Sequence, residues 1–397
     1  MNTILYIFAI IQCLLIIYMG FSVIYLFIFA VAGLFNHKIV RIKINKQKKF
    51  IIFIPAYKED EIIINVVTDA LKQNYPKNLF RICVIADKFK NETINKLKDY
   101  DIDVIIVDFE NSTKSKALNF ALKNYTDNQF DIGIILDADN LMEPDFLTKT
   151  GEIISTEVKI IQGHRTAKNK NTAFAILDAV SEEINNHIFR KGHRSLGLSA
   201  ALIGSAIGID FKLFKQIMPT INAVGGFDKE LELKLLKNNI KIEYEPNAYV
   251  YDEKIQNSNS FSSQRKRWLS AQFYYFKKFL PNATYHLLAN GNINYFNKAL
   301  QMFFLPRVLL LGISFIFTCL TFLINPLVIS ISWSIIFTLI ALSIIISIPK
   351  KFYNIKFFYA LFSIPKAFIT LFLLLFKIKN ANKNYIHTQH SINNKNK

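Results

Sequence analysis

Two long apolar stretches, Ile4 to Leu34 and Leu305 to Phe376, enclose a middle region, residues 41–300, of ordinary mixed composition. A run of about 20 apolar residues suffices to cross the hydrocarbon core of a bilayer. The middle region is large enough to bury a core of its own. Together these facts restrict the chain to a globular domain held to a membrane from both ends. The whole chain is 51% hydrophobic with a positive mean hydropathy, too apolar for an ordinary soluble protein.

The first apolar stretch exceeds a signal-peptide core, lacks a small-residue cleavage site and has no basic start, so it reads as a retained spanning helix. The run HKIVRIKINKQKK follows it. By the positive-inside rule that run places the globular domain in the cytoplasm, on the inner face of the cell membrane. The net charge is +18, but Ile, Phe, Lys and Asn are abundant everywhere, as base-composition bias would make them. The position of the basic residues is therefore more telling than their number, and no nucleic-acid partner is expected. Cys13 and Cys319 lie in apolar segments and Cys83 in a strand-like run, which predicts no disulfide.

Near the C-terminal end, Pro306 to Ile324 and Leu327 to Ile348 read as a hairpin of two spans, with Asn325 and Pro326 at the outer turn and a return to Lys350 and Lys351. Residues 357–376 are interrupted by Pro365 and Lys366 and followed by a basic tail. A full crossing would carry that charge outside, so the segment reads as interfacial or re-entrant. The expected organisation is an N-terminal transmembrane helix (1–36), a globular domain (46–280), an interfacial helix or linker (281–304), membrane segments (305–377) and a basic tail (378–397).

Within the globular domain, Phe50 to Ile54, Arg81 to Ala86 and Val104 to Val107 read as strands, and DIGIILDADN (131–140) contains a fourth. Helical patterns begin near Glu61 and at KSKALNFALKN. Strands alternating with helices imply an α/β fold with a mostly parallel sheet, whose ligand sits beyond the carboxyl ends of the strands. Those ends carry Tyr57, Glu59, Asp87, Asp137 and Asp139. With a side-chain period of two, Asp137 and Asp139 would face the same side and repel unless a cation lies between them. A lone D-x-D is more often a polar turn. Oxygen ligands suit Mg²⁺ or Mn²⁺, and neither a dinucleotide-binding glycine pattern nor a P-loop is present.

The ordered motifs IPAYKED (54–60), VIADKFKNET (84–93), KSKALNFAL (114–122), DADN (137–140), GGFDKELEL (225–233) and QRKRW (264–268) resemble those of membrane-bound inverting family 2 glycosyltransferases, and the flanking apolar segments resemble the polysaccharide-synthase branch. The resemblance covers roughly residues 48–280 and implies the GT-A nucleotide-sugar-binding fold. It implies that Pro55, Ala56, Tyr57 and Glu59 receive the base and ribose, that Asp87 contacts uridine, and that Lys116 lines the donor pocket. Asp139 would be the direct ligand of Mg²⁺ or Mn²⁺, with Asp137 on the nucleotide or sugar. Gln264, Arg265, Arg267 and Trp268 would serve the diphosphate and the acceptor, Trp268 stacking on a sugar ring. The implied reaction transfers a sugar from a UDP-sugar to a glycan or lipid-linked acceptor in cell-envelope glycan synthesis. The alternative is a non-catalytic nucleotide-sugar-binding scaffold in the membrane.

Inversion requires a base for the acceptor hydroxyl. The family supplies it from a T-E-D triplet, whereas here the matching residues are Asp228, Lys229 and Glu230, which makes Glu230 the candidate and Glu232 its rival. On a helix the two lie about 160° apart, so only one of them can face the site. Alternatively Glu230 pairs with Lys234 and Glu232 is a buried, paired carboxylate. His164, His187 and His193 have no metal-ligand spacing and read as surface or core residues. The turn Gly204, Ser205, Ala206 either shapes an acceptor pocket or simply reverses the chain.

Overall fold

The computed structural model describes residues 2–39, 41, 47–155, 157–256, 258–324 and 327–377. The expected outer turn at Asn325 and Pro326 and the tail 378–397 lie outside the described residues. The chain begins with helix α1 (Asn2–Ala32), followed by β1 (Phe50–Tyr57), α2 (Ile63–Ala70), β2 (Phe80–Asp87), α3 (Asn91–Lys98), β3 (Asp103–Val107), α4 (Lys114–Leu122) and β4 (Ile132–Ile135). Then come β5 (Leu141–Met142), α5 (Phe146–Gly151), β6 (Ile160–Ala167), α6 (Ala173–Asn185), a π-helical turn (Asn186–Gly192) and α7 (His193–Ser195). They lead into β7 (Ile207–Asp210), α8 (Phe211–Ile217), α9 (Phe227–Lys237) and β8 (Glu243–Asp252). The last helices are α10 (Ser258–Asn290), α11 (Ile293–Gln301), α12 (Arg307–Ile324), α13 (Leu327–Ser347), α14 (Ile355–Leu361) and α15 (Ile364–Leu375).

The strands form one eight-stranded mixed sheet in the order β3-β2-β1-β4-β7-β6-β8-β5. Its first half is the parallel α/β unit expected; β7 and β5 run antiparallel to their neighbours. Strand β1 does not stop at Pro55 but continues to Tyr57, with Pro55 opposite Ile85. Its pairing with β4 ends at Phe53 opposite Ile135, so on that side the ring nitrogen of Pro55 leaves no ladder bond unmade. One face of the sheet packs Phe53, Leu118, Phe211 and Phe214, and the other Ile52, Ile54, Val67 and Phe146, all fully buried. Burying both faces accounts for the unbroken apolar runs of β1, β2 and β4.

Helices α1 and α13 contain stretches long and apolar enough to cross a membrane, Ala9–Ala32 and Leu327–Ser347. Their outward faces expose Ile10, Leu14, Ile17 and Val328, which suits hydrocarbon rather than water. Helix α12 is apolar but shorter, and α14 and α15 together meet the same test only as a pair bent by 42° at Phe362 and Ser363. That bend fits the expected interruption, although the break falls just before Pro365. The expected change from globular domain to linker at residue 280 lies inside α10, which continues through Pro281.

Helix α1 is fastened to the globular domain by close approach. A Cβ at Gly192 would collide with the carbonyl oxygen of Phe29, and His193 stacks on the Phe29 ring at 3.8 Å. His193 also meets Tyr25 Oη at 2.9 Å and Gln301 Nε2 at 2.9 Å, so this histidine is a satisfied core residue.

Candidate active site

A cavity of about 760 Å³ opens beyond the carboxyl ends of β1, β2 and β4. Tyr57 and Asp87 end their strands side by side, and the Lys58 amide donates to the Asp87 carbonyl at 3.0 Å. Left-handed residues follow the two strand ends, Lys58 (φ 55°) and Lys88 (φ 58°), and Glu59 and Asp87 line the cavity. Asp87 is buried, and its Oδ1 accepts no hydrogen bond among the described residues. Burial raises the Asp87 pKa, with the Ser112 hydroxyl opposing. A buried carboxylate oxygen without a partner is costly, and an N–H donor of a bound base would satisfy it.

The two acids of DADN do not extend β4. The strand ends at Ile135, and Asn140 N–H donates to the Asp137 carbonyl at 3.1 Å, so the D-x-D is a turn. The turn is locked from the other side of the site, because Asp137 N–H donates to Ser205 Oγ (2.9 Å) and Ser205 Oγ donates to Asn140 Oδ1 (2.6 Å). Lys114 Nζ pairs with Asp137 and donates to the Gly204 carbonyl at 2.5 Å. The Gly204–Ser205 turn therefore holds the acidic loop in place.

Asp139 accepts from Asn140 Nδ2 at 2.9 Å. Burial, then the charges of Asp252 and Asp137, push its pKa well above the ordinary value, with Arg165 opposing. Asp252 is in the same cavity and carries its own cations, Lys254 Nζ at 2.6 Å and Arg165 Nε at 3.6 Å. Burial disfavours the Asp252 anion, but Arg165 and Lys254 more than offset it and hold its pKa below the usual carboxylate range. Asp137 and Asp252 have lysine partners, and their own charges disfavour the Asp139 anion, a repulsion that a divalent cation would relieve. Its hard oxygen donors fit Mg²⁺ or Mn²⁺. The described residues contain no group of three or more acidic, histidine or cysteine side chains that could hold a metal, so other ligands would come from water and substrate phosphate.

Gly226 in the left-handed conformation (φ 70°) starts α9 at Phe227. This places Asp228 in the first turn and in the cavity. Burial raises the Asp228 pKa, yet the charges of Lys229 and Lys298 and the Lys229 and Gly204 amides outweigh it and leave it below the ordinary value. Asp228 is therefore an ionised carboxylate at neutral pH.

A family model described as "Glycosyltransferase like family 2" matches residues 47–271, more than half of the chain. The chain belongs to that family. Among solved structures, this glycosyltransferase is similar to a mannosyltransferase, PcManGT, from Pyrobaculum calidifontis in complex with GDP-Man and Mn²⁺, at 14% identity and a TM-score of 0.57, covering 85% of this chain and 96% of that one. It also matches S. aureus TarS 1–349 in complex with UDP-GlcNAc at 15% identity and a TM-score of 0.43, covering 83% and 92% of the two chains. At 14% identity the likeness to PcManGT is one of fold, the GT-A fold. A search of curated protein sequences returns no significant match.

The glycosyltransferase's cavity brings together Pro55, Ala56, Tyr57, Glu59, Asp87, Asp137, Asp139, Gln264, Arg265, Arg267 and Trp268. It leaves out three residues singled out from the sequence. Lys116 turns outward and donates to the Asn111 carbonyl at 2.9 Å; of the two α4 lysines, Lys114 is the one that lines the cavity. Glu230 is buried against Lys234 (3.2 Å) and Lys278 (3.4 Å), and Glu232 against Lys298 (2.8 Å) and the Leu202 amide (3.0 Å). Both glutamates occupy paired positions in the core, outside the cavity wall. Arg265 is engaged by Asp178 and lies over the Trp268 ring at 4.3 Å, so one indole face is already covered and only the other is left for a sugar. Four further residues that line the cavity, Lys114, Arg165, Asp228 and Asp252, were given no role from the sequence, although Asp228 stands in the altered triplet.

Proposed function

We propose that the protein is a membrane-bound inverting glycosyltransferase of the polysaccharide-synthase type, with its catalytic domain in the cytoplasm. It would transfer a hexosyl or N-acetylhexosaminyl group from a UDP-sugar to a glycan or lipid-linked acceptor in cell-envelope glycan synthesis. The observation that carries this reading is the convergence in one cavity of a buried carboxylate oxygen with no hydrogen-bond partner among the described residues (Asp87), an acidic turn (Asp137 and Asp139) and a separate carboxylate (Asp228), beside helices able to span a membrane.

In this reading Asp87 accepts an N–H of the base, and Tyr57 and Glu59 border the nucleoside. Asp139, with Asp137, would hold Mg²⁺ or Mn²⁺, which when bound neutralises charge growing on the diphosphate. Lys114 leaves Asp137 to meet a donor oxygen, and Arg267 supplies further charge to the leaving group. Asp228 takes the proton of the acceptor hydroxyl as that oxygen attacks the anomeric carbon from the face opposite the leaving diphosphate. A single displacement of this kind inverts the configuration. Glu230 and Glu232 retain a supporting role through their ion pairs. The altered T-E-D triplet is the only feature favouring a non-catalytic scaffold, and Asp228 supplies a carboxylate that such a scaffold would not need.

The test is nucleoside diphosphate release by full-length protein in detergent, with UDP-sugars and GDP-sugars, with and without Mn²⁺, and with membrane extract as acceptor. GDP-sugars belong in the screen because the fold neighbour PcManGT was solved with GDP-Man and Mn²⁺. The expected result is metal-dependent release from one UDP-sugar. No release from any donor would overturn the enzyme reading.

The orientation has its own test in a variant lacking Cys13, Cys83 and Cys319. Single cysteines at Lys277 and Lys377 are expected to resist an impermeant thiol reagent in intact cells and to react after lysis. Labelling at position 377 alone would make the bent α14–α15 pair a full crossing.

A further inference from the structure

The cavity does not stop at the sugar-transfer site. It also extends to the apolar C-terminal helices, where Leu311, Ile344, Ile348, Leu361, Ile364 and Leu371 line it. These residues come from α12, α13, α14 and α15 and from the short connection after α13. A nucleotide sugar has no group that would enter so apolar a space, whereas a hydrocarbon chain would gain about 0.8 kcal/mol per buried methylene there.

Arg307, the first residue of α12, stands where the polar and apolar parts meet. Its Nη2 donates to the Ser181 carbonyl (3.1 Å) and to Ser181 Oγ (3.3 Å). Its Nη1 is buried and has no hydrogen-bond partner among the described residues. No carboxylate is paired with Arg307 among the described ion pairs; the neighbouring acids Asp178 and Glu182 are held by Arg265, and by Arg165 and Arg190. A buried guanidinium with an open donor at the neck of an apolar channel calls for an anion, and a phosphate presents the matching oxygens.

We propose that the acceptor is a membrane lipid with a hydroxyl- and phosphate-bearing head group, whose chain lies between α12 and the bent α14–α15 pair and whose phosphate pairs with Arg307. This inference rests on the glycosyltransferase reading above. The head-group hydroxyl oxygen bonds to the anomeric carbon of the donor while its proton passes to Asp228. The bond between that carbon and the diphosphate oxygen breaks with its electron pair, and the nucleoside diphosphate departs. The phosphate at Arg307 takes no part in bond making; it sets how far the hydroxyl reaches. The spanning helices supply the route by which such a lipid enters, from the bilayer sideways.

The experiment uses the full chain in nanodiscs of zwitterionic lipid and measures binding of radiolabelled hexadecyl phosphate, with hexadecanol and glycerol phosphate as competitors. Nucleotide binding is measured in parallel with UDP and Mn²⁺. Hexadecyl phosphate is expected to bind, with each competitor weaker by at least about 10-fold. Arg307→Ala should weaken it by about 10- to 100-fold, the range for a charge-assisted hydrogen bond, and leave UDP affinity unchanged. Leu311→Trp, which fills the apolar part, should weaken hexadecyl phosphate and leave glycerol phosphate as it was. Equal competition by hexadecanol would remove the phosphate from the proposal. Equal competition by glycerol phosphate, or indifference to both substitutions, would remove the lipid. In each of these failures intact UDP binding leaves the glycosyltransferase reading standing. Loss of UDP binding by the unaltered protein would instead sink that reading itself.

Discussion

Asp139→Asn is expected to lower transfer by more than about 100-fold while leaving the fold intact. Even the outer-shell partners of a bound metal cost about 10- to 100-fold when removed, and Asp139 is proposed as a direct ligand. The substitution is nearly isosteric, and it takes a negative charge away from a site where burial, Asp252 and Asp137 already disfavour one. The metal-free variant should therefore melt no lower than the parent. Asp252→Asn provides the contrast. It removes the partner of Lys254 and Arg165, and breaking a buried pair costs about 3–5 kcal/mol. Calorimetry of UDP with and without Mn²⁺, alongside melting curves of both variants, separates the roles. If Asp139→Asn keeps its metal-dependent gain in UDP affinity, Asp139 is not the ligand.

The parallel half of the sheet was legible because β1, β2 and β4 are short apolar runs with an acid at or within two residues of their ends, Glu59, Asp87 and Asp137, and a ladder buried on both faces has few other ways to be written. The other half was not. Strands β6 and β8 pair across a long separation in sequence, with Ala167 opposite Asp252 and a register shift after Gly163. Only that pairing brings Arg165 and Asp252 beside the D-x-D. Lys114 and Lys116 show the limit of spacing alone: two residues apart on α4, they point about 200° around the axis from one another. Which one meets Asp137 depends on how the helix is rotated against the sheet, and the buried Ala117, Leu118 and Ala121 settle that by packing. The same limit applies to Asp228. Its place in the first turn of α9 follows from the left-handed Gly226, a conformation that a glycine permits but does not announce.

Asp228→Asn is expected to reduce kcat by about 10²- to 10⁴-fold, the usual contribution of a positioned general base, with donor affinity nearly unchanged. The Asp228 pKa lies below the ordinary aspartate value, because Lys229, Lys298 and two backbone amides outweigh burial. The base form is thus already present at neutral pH, and the acid limb of the parent's pH–rate profile should fall below the ordinary aspartate pKa and vanish in the variant. Glu230→Gln and Glu232→Gln should behave differently. Each removes the anion from a buried ion pair, Glu230 from Lys234 and Lys278 and Glu232 from Lys298. Their main effect should be on melting temperature, the larger for Glu232, whose lysine is itself well shielded and only 2.8 Å away. Transfer rates, donor affinity and melting curves of the three variants decide the matter together. A Glu230→Gln protein that melts like the parent yet transfers no sugar, beside an Asp228→Asn protein that still does, would return the base to Glu230. The first turn of α9 would then have to rotate when substrate binds, because in this structure Asp228 lines the cavity and Glu230 does not.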